Sequence, residues 1–291
     1  MLKKTIASVL KVFGVDCQKL QENICMWSLR QSIRENNYGD MVKKLITIVP
    51  DLSEQYSLSE EHYSSYVELK LRVQHAFQCV MMFKGLESLP AGKLTVVDIG
   101  DSAGTHMRYV QALTKDRFDI DTISVNLDPR AIEKIKAKGL KAILSRAEDM
   151  DLTGRQVDLF TSFEMVEHLH NPAIFFRRLA KKTSCNQMVM TVPYVRESRV
   201  SLLNSRDGSD NKIFAEDEHV FELSPRDWTN LLLHGGWKVR YNRIYYQYPR
   251  RIPLVSTFLS WYWKRVDFEG FWGVVLEKDT TVSDRYQDWG E

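Results

Sequence analysis

From about residue 92 onward, short apolar runs alternate with longer segments in which apolar residues recur at three- and four-residue steps. Runs rich in β-branched residues are typical of buried strands, and the longer segments are typical of amphipathic helices. Strands are predicted at residues 94–99, 122–127, 141–145, 157–162, 187–192, 237–248 and 271–278. Helices are predicted between them, including those at residues 129–138, 172–182 and 224–235. This alternation favours an α/β fold built on a largely parallel sheet.

Residues 1–91 lack the alternation and are predicted to form a helical N-terminal extension or cap. Helices are expected at about residues 20–36 and 59–89, with a loop at residues 46–58. Residues 1–13 carry their apolar side chains on one helical face, with lysines elsewhere. That segment is interpreted either as a helix docked on the main domain or as a basic helix resting on a membrane surface.

The main domain is predicted to span residues 92–278, with one insertion near its end. The insertion, residues 249–270, holds an apolar run flanked by aromatic and basic residues. It is interpreted as a helix that covers the sheet edge or makes a dimer contact, or as a site of peripheral membrane contact. Residues 279–291 are polar and are predicted to form a frayed tail.

Length, charge and cysteine content narrow the class of protein. The 291 residues suffice for one α/β domain with an extension. The formal net charge of +2 gives no broad attraction to nucleic acid, so no nucleic-acid partner is expected. The four cysteines are scattered without metal-ligand spacing, which predicts reduced thiols in a cytoplasmic protein. No apolar run is long enough to cross a membrane, and a position at the inner face of the membrane stays open.

A turn containing two glycines follows the first predicted strand. Asp98 ends the strand, Gly100, Asp101, Ser102 and Gly104 form the turn, and helical periodicity begins beyond it. Glycines let the backbone approach a ligand closely, and a helix N-terminus offers N–H groups to it. The spacing matches neither a P-loop nor the six-residue glycine motif of dinucleotide-binding proteins. It resembles the first motif of the class I S-adenosylmethionine-dependent methyltransferases, with Ser102 in place of the middle glycine.

This resemblance implies both a fold and a cofactor. The fold would be a Rossmann-like, doubly wound sheet of seven strands, in which the last two form an antiparallel pair. The cofactor would be S-adenosylmethionine, with its amino acid end held by Asp98, Gly100, Asp101 and Gly104. Helices before the first strand would cover the cofactor and shape the acceptor pocket.

The next two strands supply the remaining cofactor contacts that the resemblance implies. Asn126 would meet the ribose, at a position where the family usually carries an acid. Asp128 is the alternative ribose contact, although it is also expected to cap the following helix. Ala147 and Glu148 would flank the adenine, unless their segment is only a solvated charged loop.

The strand predicted at residues 157–162 runs into Glu164, Glu167 and His168. This run resembles the methyltransferase branch that includes the ubiquinone-pathway O-methyltransferases. The carboxyl end of a central strand faces the ligand crevice in such sheets, so Glu164 is expected to contact the cofactor. His168 is expected to take the proton of an acceptor hydroxyl, unless it is a structural histidine at a helix start.

A second histidine, His219, follows the predicted acceptor loop at residues 194–218, where periodicity is weak. The resemblance implies that His219 points into the acceptor pocket. The spacing of Glu164, Glu167 and His168 also suits one turn of a metal site, with His219 as a distant fourth ligand. A divalent metal therefore stays open as a second cofactor.

Together these residues predict an S-adenosylmethionine-dependent methyltransferase acting on a hydroxyl of a small-molecule or saccharide acceptor, with a lipid-linked acceptor left open. A non-catalytic cofactor-binding or scaffold protein is one alternative, which Ser102 and Asn126 would suit. An RNA methyltransferase is another, opposed by the net charge and by the lack of an Asn/Asp-Pro-Pro-aromatic motif. The oligomeric state is not predicted. A Gly104→Arg variant is expected to lose the cofactor and keep its fold.

Overall fold

Nine strands are present in the computed structural model, which describes residues 16–53, 55, 64–200 and 218–287. Seven of the strands form one sheet, and two short strands, β6 and β7, pair only with each other. In chain order they are β1 Gly92–Ile99, β2 Phe118–Asn126, β3 Lys141–Leu144, β4 Leu159–Phe163, β5 Gln187–Pro193, β6 Arg199–Val200, β7 Phe221–Glu222, β8 Trp237–Tyr246 and β9 Gly270–Lys278.

The spatial order of the large sheet is β3-β2-β1-β4-β5-β9-β8. Strands β1 to β5 are parallel to one another, and β9 runs antiparallel to both β5 and β8. The predicted seven-stranded, doubly wound sheet with a final antiparallel pair is confirmed. Because five strands are parallel, their carboxyl ends and the loops that follow them meet at one edge of the sheet.

Eight α-helices accompany these strands in the described part of the chain. In chain order they are α1 Cys17–Asn36, α2 Gly39–Ile48, α3 Ser65–Leu86, α4 Thr105–Thr114, α5 Pro129–Ala137, α6 Pro172–Lys182, α7 Pro225–His234 and α8 Pro253–Val266. Three helices begin as predicted, because the side chains of Asp128, Asn171 and Ser224 accept backbone N–H groups at their N-termini.

Two predictions for the N-terminal region need correction. Residues 46–48, predicted as loop, belong to helix α2, whose N-cap residue Tyr38 makes no side-chain cap hydrogen bond. Helix α3 begins at Ser65 rather than near residue 59, because Ser64 is extended and its hydroxyl caps the helix by accepting from Val67 N.

Strand β2 also begins earlier than predicted, since Asp119 and Asp121 alternate with buried apolar residues.

Both faces of the sheet are buried. Val96 and Val275 belong to the apolar cluster on one face, while Val97 and Val274 belong to the cluster on the other. Helix α3 forms the centre of the first face, where it comes so close that a Cβ on Gly85 would lie 2.5 Å from Val189 Cγ2. The predicted N-terminal extension therefore supplies a packing layer of the sheet itself.

A third apolar cluster joins helix α1 to helix α8, the helix of the predicted insertion. Trp263 donates from Nε1 to Ser28 Oγ at 2.9 Å, and Ser28 donates in turn to Gln247 O at 2.8 Å. Buried Cys25, Leu29 and Trp263 pack around these bonds. The insertion thus contains a helix packed on the N-terminal region, a contact that none of its interpretations specified.

Within the described ranges, no helix has the length and apolar character needed to span a membrane. The helix predicted at residues 1–13 and most of the predicted acceptor loop, residues 201–217, lie outside the described residues.

Candidate functional site

The two sequence motifs meet at the carboxyl edge of the sheet. Gly100 and Gly104, in the turn between β1 and α4, have φ angles of +96° and +74°, which favour glycine. A Cβ on Gly100 would lie 2.5 Å from Met165 Cγ, so the side chain of Met165 packs directly on the turn. The segment from Glu164 to His168 therefore adjoins the glycine turn.

Asp101 folds back into this turn. Its Oδ1 accepts from the backbone N–H groups of Ala103 and Gly104 at 3.1 and 2.7 Å, and its Oδ2 accepts from Ser124 Oγ at 2.6 Å. The carboxylate thus occupies two amides of the turn before α4, which are no longer available to a ligand. Sequence reasoning placed Asp101 among the cofactor contacts and did not anticipate this internal role.

Asp98 lies beneath the turn and is almost fully buried. Its Oδ1 accepts from Thr161 Oγ1 at 2.8 Å, whereas its Oδ2 has no hydrogen-bond partner among the described residues. Burial, followed by the charge of Asp101, raises the pKa of Asp98 well above its usual range. His106 Nδ1 lies 4.0 Å from Oδ2, but burial lowers the pKa of His106 to about 3, so the ring is neutral. An unsatisfied buried acceptor here suits a ligand that donates hydrogen bonds.

Asn126 and Asp128, the candidate ribose contacts, lie at the end of β2 and each is half-buried. Asn126 Nδ2 donates to Asp101 O at 2.8 Å, and Asn126 Oδ1 accepts from Asp128 N at 2.8 Å. Asp128 Oδ1 accepts from Arg130 N at 2.9 Å, which confirms its expected cap role. The Asn126 amide retains a second N–H and a second lone pair for a ligand.

The candidate adenine contacts, Ala147 and Glu148, form a short 3₁₀ turn after β3. Arg178 on α6 donates to Glu148 O at 2.8 Å, and the Glu148 side chain is mostly buried. The segment is therefore fixed against the domain, which argues against the alternative of a fully solvated loop.

Glu164 has a φ of +51°, a conformation that is unusual for a residue other than glycine. Its Oε1 accepts from Thr191 Oγ1 at 2.7 Å, and burial raises the pKa of Glu164 to about 8. Thr191 Oγ1 accepts from Gln78 Nε2 at 3.2 Å, and Gln78 Oε1 lies 2.8 Å from His106 Nε2. A buried polar chain thus runs from Glu164 to His106, beside Asp98. Sequence reasoning missed the chain because its members are distant in sequence.

Glu167, His168 and His219 come together, with one ligand atom from each lying within 4.8 Å of the other two. Glu167 is almost fully buried, and neither carboxylate oxygen has a hydrogen-bond partner among the described residues. Burial, followed by the charges of Glu164 and Glu222, raises the pKa of Glu167 well above its usual range. Glu164, which the sequence also suggested as a metal ligand, does not join this cluster.

The two histidines are held by separate contacts. His168 Nδ1 lies 3.0 Å from Glu218 O, and a carbonyl only accepts, so Nδ1 carries the proton and Nε2 carries the lone pair. The rings of His168 and His219 meet edge to face at 4.7 Å. His219 also stacks on Phe268, with ring centroids 5.3 Å apart.

Glu222 orients His219 and was missed by sequence reasoning. Its Oε1 lies 3.4 Å from His219 Nδ1, and its Oε2 accepts from Arg199 Nε. Burial raises the pKa of Glu222, but the bonds from His219 and Arg199 outweigh this effect and the net pKa is lowered. The carboxylate is therefore charged and favours an N–H on His219 Nδ1, which leaves Nε2 as the lone-pair nitrogen.

Residues 97–186 match the model of a family described as a methyltransferase domain. This region contains the glycine turn, both candidate ribose contacts and the Glu164–His168 segment. The fold is that of the class I S-adenosylmethionine-dependent methyltransferases.

Three solved structures share the class I methyltransferase fold. A putative sarcosine dimethylglycine methyltransferase from Galdieria sulphuraria has a TM-score of 0.52 at 12% identity, over 74% of this chain and 87% of that one. A chain of the complex between the Haloferax volcanii Trm112 methyltransferase activator and the putative methyltransferase has a TM-score of 0.51 at 15% identity, over 72% and 94%. The cyclopropane synthase MmaA2 from Mycobacterium tuberculosis has a TM-score of 0.50 at 13% identity, over 70% and 84%.

At these identities the likeness establishes the fold alone. No curated protein sequence matches the chain. The branch of ubiquinone-pathway O-methyltransferases, which the sequence resembles, is therefore not singled out by the comparisons.

Proposed function

We propose that this protein transfers a methyl group from S-adenosylmethionine to a hydroxyl of a small-molecule or saccharide acceptor. The matched methyltransferase domain and the fold support the cofactor. Among the side chains, the unsatisfied Oδ2 of buried Asp98 offers an acceptor to the amino acid end of the cofactor. Asn126 retains hydrogen-bonding capacity for the ribose, and the fixed turn of Ala147 and Glu148 lies at the end of β3, where the adenine side is expected.

One observation carries the choice of a hydroxyl acceptor: the cluster of Glu167, His168 and His219 beside the glycine turn. S-adenosylmethionine supplies a methyl group on a good leaving group, so the protein has mainly to align the acceptor and remove its proton. Carboxylate and imidazole ligands suit a divalent cation, and such a cation would lower the pKa of a coordinated hydroxyl. Glu167, buried without a partner, is the strongest reason to expect a cation here.

His168 has two roles within this proposal. With a cation in the cluster, His168 Nε2 would be one of its ligands. When the cluster is empty, the same nitrogen takes the acceptor proton, as a neutral imidazole can near neutral pH. In both cases Glu222 favours the His219 tautomer with the proton on Nδ1 and the lone pair on Nε2, as in His168.

The central experiment incubates the purified protein with extracts and a deuterated methyl donor, and identifies labelled products by mass spectrometry. Chelator-treated and Mn²⁺-loaded protein are compared, because a cation-dependent product would show that a cation takes part in the reaction. Glu167→Gln should remove the metal-dependent product, and Glu133→Gln, at an exposed position on α5, is the matched control. Labelled product on amines alone would contradict the proposal of a hydroxyl acceptor.

A cofactor-binding protein without catalysis is the second candidate. Asp101 and Asn126 support it, because both use hydrogen-bonding groups internally at the turn that would hold the cofactor. Calorimetric binding of S-adenosylmethionine without label transfer to any extract would favour this candidate. An RNA methyltransferase is tested in the same preparation, since RNA binding would fall steeply with salt.

A further inference from the structure

A contiguous apolar surface lies between helices α1 and α8, on the outside of the third apolar cluster. A groove of about 550 Å³ runs between the two helices. We call this surface the α1–α8 face and define it by Ile24, Trp27, Leu254, Val255, Phe258 and Trp261. Leu254 is 86% exposed, Phe258 53%, Trp261 51% and Trp27 45%. Side chains of this size are seldom exposed together without a partner.

The rim of this face is basic on the side formed by α8 and the residues before it, whereas Glu35 of α1 accepts from Arg250 N at 2.8 Å. Residues 249–266 contain Arg250, Arg251, Lys264 and Arg265 and no acidic residue. Arg265 stacks on Trp261 at 3.8 Å, and Arg250 lies over the ring of Tyr246 at 4.3 Å. Exposed aromatic rings with cations beside them suit the boundary between lipid headgroups and acyl chains.

We propose that the α1–α8 face docks the protein on an anionic lipid bilayer. Charge favours a bilayer over two other occupants of this face, namely residues 1–15 of the same chain and a second copy of the chain. Residues 1–15 carry three lysines and no acid, so their charge does not complement the basic side of the rim. A second copy of the chain would likewise bring two basic rims together. An anionic bilayer complements the rim and takes up the apolar side chains as well.

Docking would also bring the bilayer close to the candidate site. Helix α8 ends at Val266, and Phe268, two residues later, stacks on His219. Arg196, at the start of the predicted acceptor loop, bonds to Glu269 and to Ser260 of α8. The face therefore joins the acceptor side of the domain. The docking proposal does not depend on methyl transfer, and its test needs no acceptor.

The test is sedimentation of the full chain with vesicles of phosphatidylglycerol and phosphatidylcholine in equal parts, against vesicles of phosphatidylcholine alone. We expect binding to the anionic vesicles, weakened by salt, and little binding to the neutral ones. Leu254→Ser with Phe258→Ser should weaken binding on the order of tenfold or more. Arg250→Gln with Arg251→Gln should weaken it by about fivefold for each arginine.

Exposed apolar residues elsewhere provide the matched control. Ile46→Ser with Leu144→Ser removes two exposed apolar side chains outside the face and should leave binding unchanged. Thermal unfolding of every variant shows that it is folded. Binding that survives Leu254→Ser with Phe258→Ser but is lost on deletion of residues 1–15 would overturn the proposal. So would absence of vesicle binding, or a dimer in light scattering that the serine pair dissociates.

Discussion

The side chain of Met165 fills the space that a side chain at Gly100 would need, with Met165 Cγ 2.5 Å from the position of a Gly100 Cβ. This contact joins the turn after β1 to the segment after β4, the two parts of the candidate site. A change at Gly100 is therefore expected to affect both.

Gly100→Ala should destabilise the protein and weaken its binding of S-adenosylmethionine. The alanine would have to adopt the positive φ of Gly100, and its Cβ would overlap the side chain of Met165. Gly139 also has a positive φ but has open space around its Cβ position, so Gly139→Ala isolates the backbone effect. We expect Gly100→Ala to lower the free energy of unfolding in urea by about 1–3 kcal/mol more than Gly139→Ala does. Adding Met165→Ala should restore part of the difference, and no recovery would show that the overlap is not the cause.

Asp101→Ala and Asp101→Asn should differ. Alanine removes the acceptor of Ala103 N and Gly104 N and should lower the free energy of unfolding by about 1–3 kcal/mol, because these buried amides would lose their partner. Asparagine keeps an oxygen for these amides and removes a negative charge near Asp98. The pKa of Asp98 should therefore fall in Asp101→Asn, as measured by NMR titration of its carboxyl carbon. An unchanged Asp98 titration would refute the electrostatic coupling of the two acids.

Glu164 should make stability fall as pH rises. Its pKa is about 8 in the folded protein and about 4.3 in an unfolded chain. Between these values the folded state holds a proton that the unfolded state lacks, so the free energy of unfolding decreases with increasing pH, by at most about 1.4 kcal/mol per pH unit from this group. Urea denaturation of chelator-treated protein from pH 5 to pH 8 should show a steeper decline for the wild type than for Glu164→Gln. Equal slopes would mean that Glu164 is ionised throughout.

Mn²⁺ should stabilise the wild type and leave Glu167→Gln unchanged. A ligand at one hundred times its Kd adds about 2.7 kcal/mol to the free energy of unfolding. Binding requires Glu167 to lose its proton, and burial raises the pKa of Glu167, so the apparent affinity should increase with pH. Thermal unfolding with and without Mn²⁺ measures both effects. An equal Mn²⁺ response in Glu167→Gln would exclude the cluster as the binding site.

Much of the fold follows from local sequence signals. Asp128, Asn171 and Ser224 stand before proline and cap helices as expected, because such caps depend on residues one turn away. The position of the candidate site at the carboxyl edge of the sheet could also be predicted, since the glycine turn and the Glu164–His168 segment each follow an apolar run. Helix α2 was missed because it is short and lacks a side-chain cap.

The hydrogen bonds within the site could not be predicted from the sequence. An aspartate in a glycine turn can bind either a ligand or the turn itself, and only the structure shows that Asp101 bonds to the turn. Glu222 meets His219 and Arg199 through the pairing of β6 with β7, which local patterns do not encode. For the same reason, Gly104→Arg is now expected to disturb folding: Gly104 has a positive φ, and its Cβ would lie 2.5 Å from Leu140 Cδ1.

Helix α3 has a practical consequence for anyone who expresses shortened versions of this protein. Because the matched region begins at residue 97, a natural choice for a shortened version is a fragment that begins just before β1. In the whole chain, Phe77 and Met81 lie within 3 Å of the Cβ position of Gly273 and so fill the hollow over β9. A fragment without α3 would expose the surface over β9 and the adjoining apolar face of the sheet to water. We therefore expect the fragment to aggregate in the expression host.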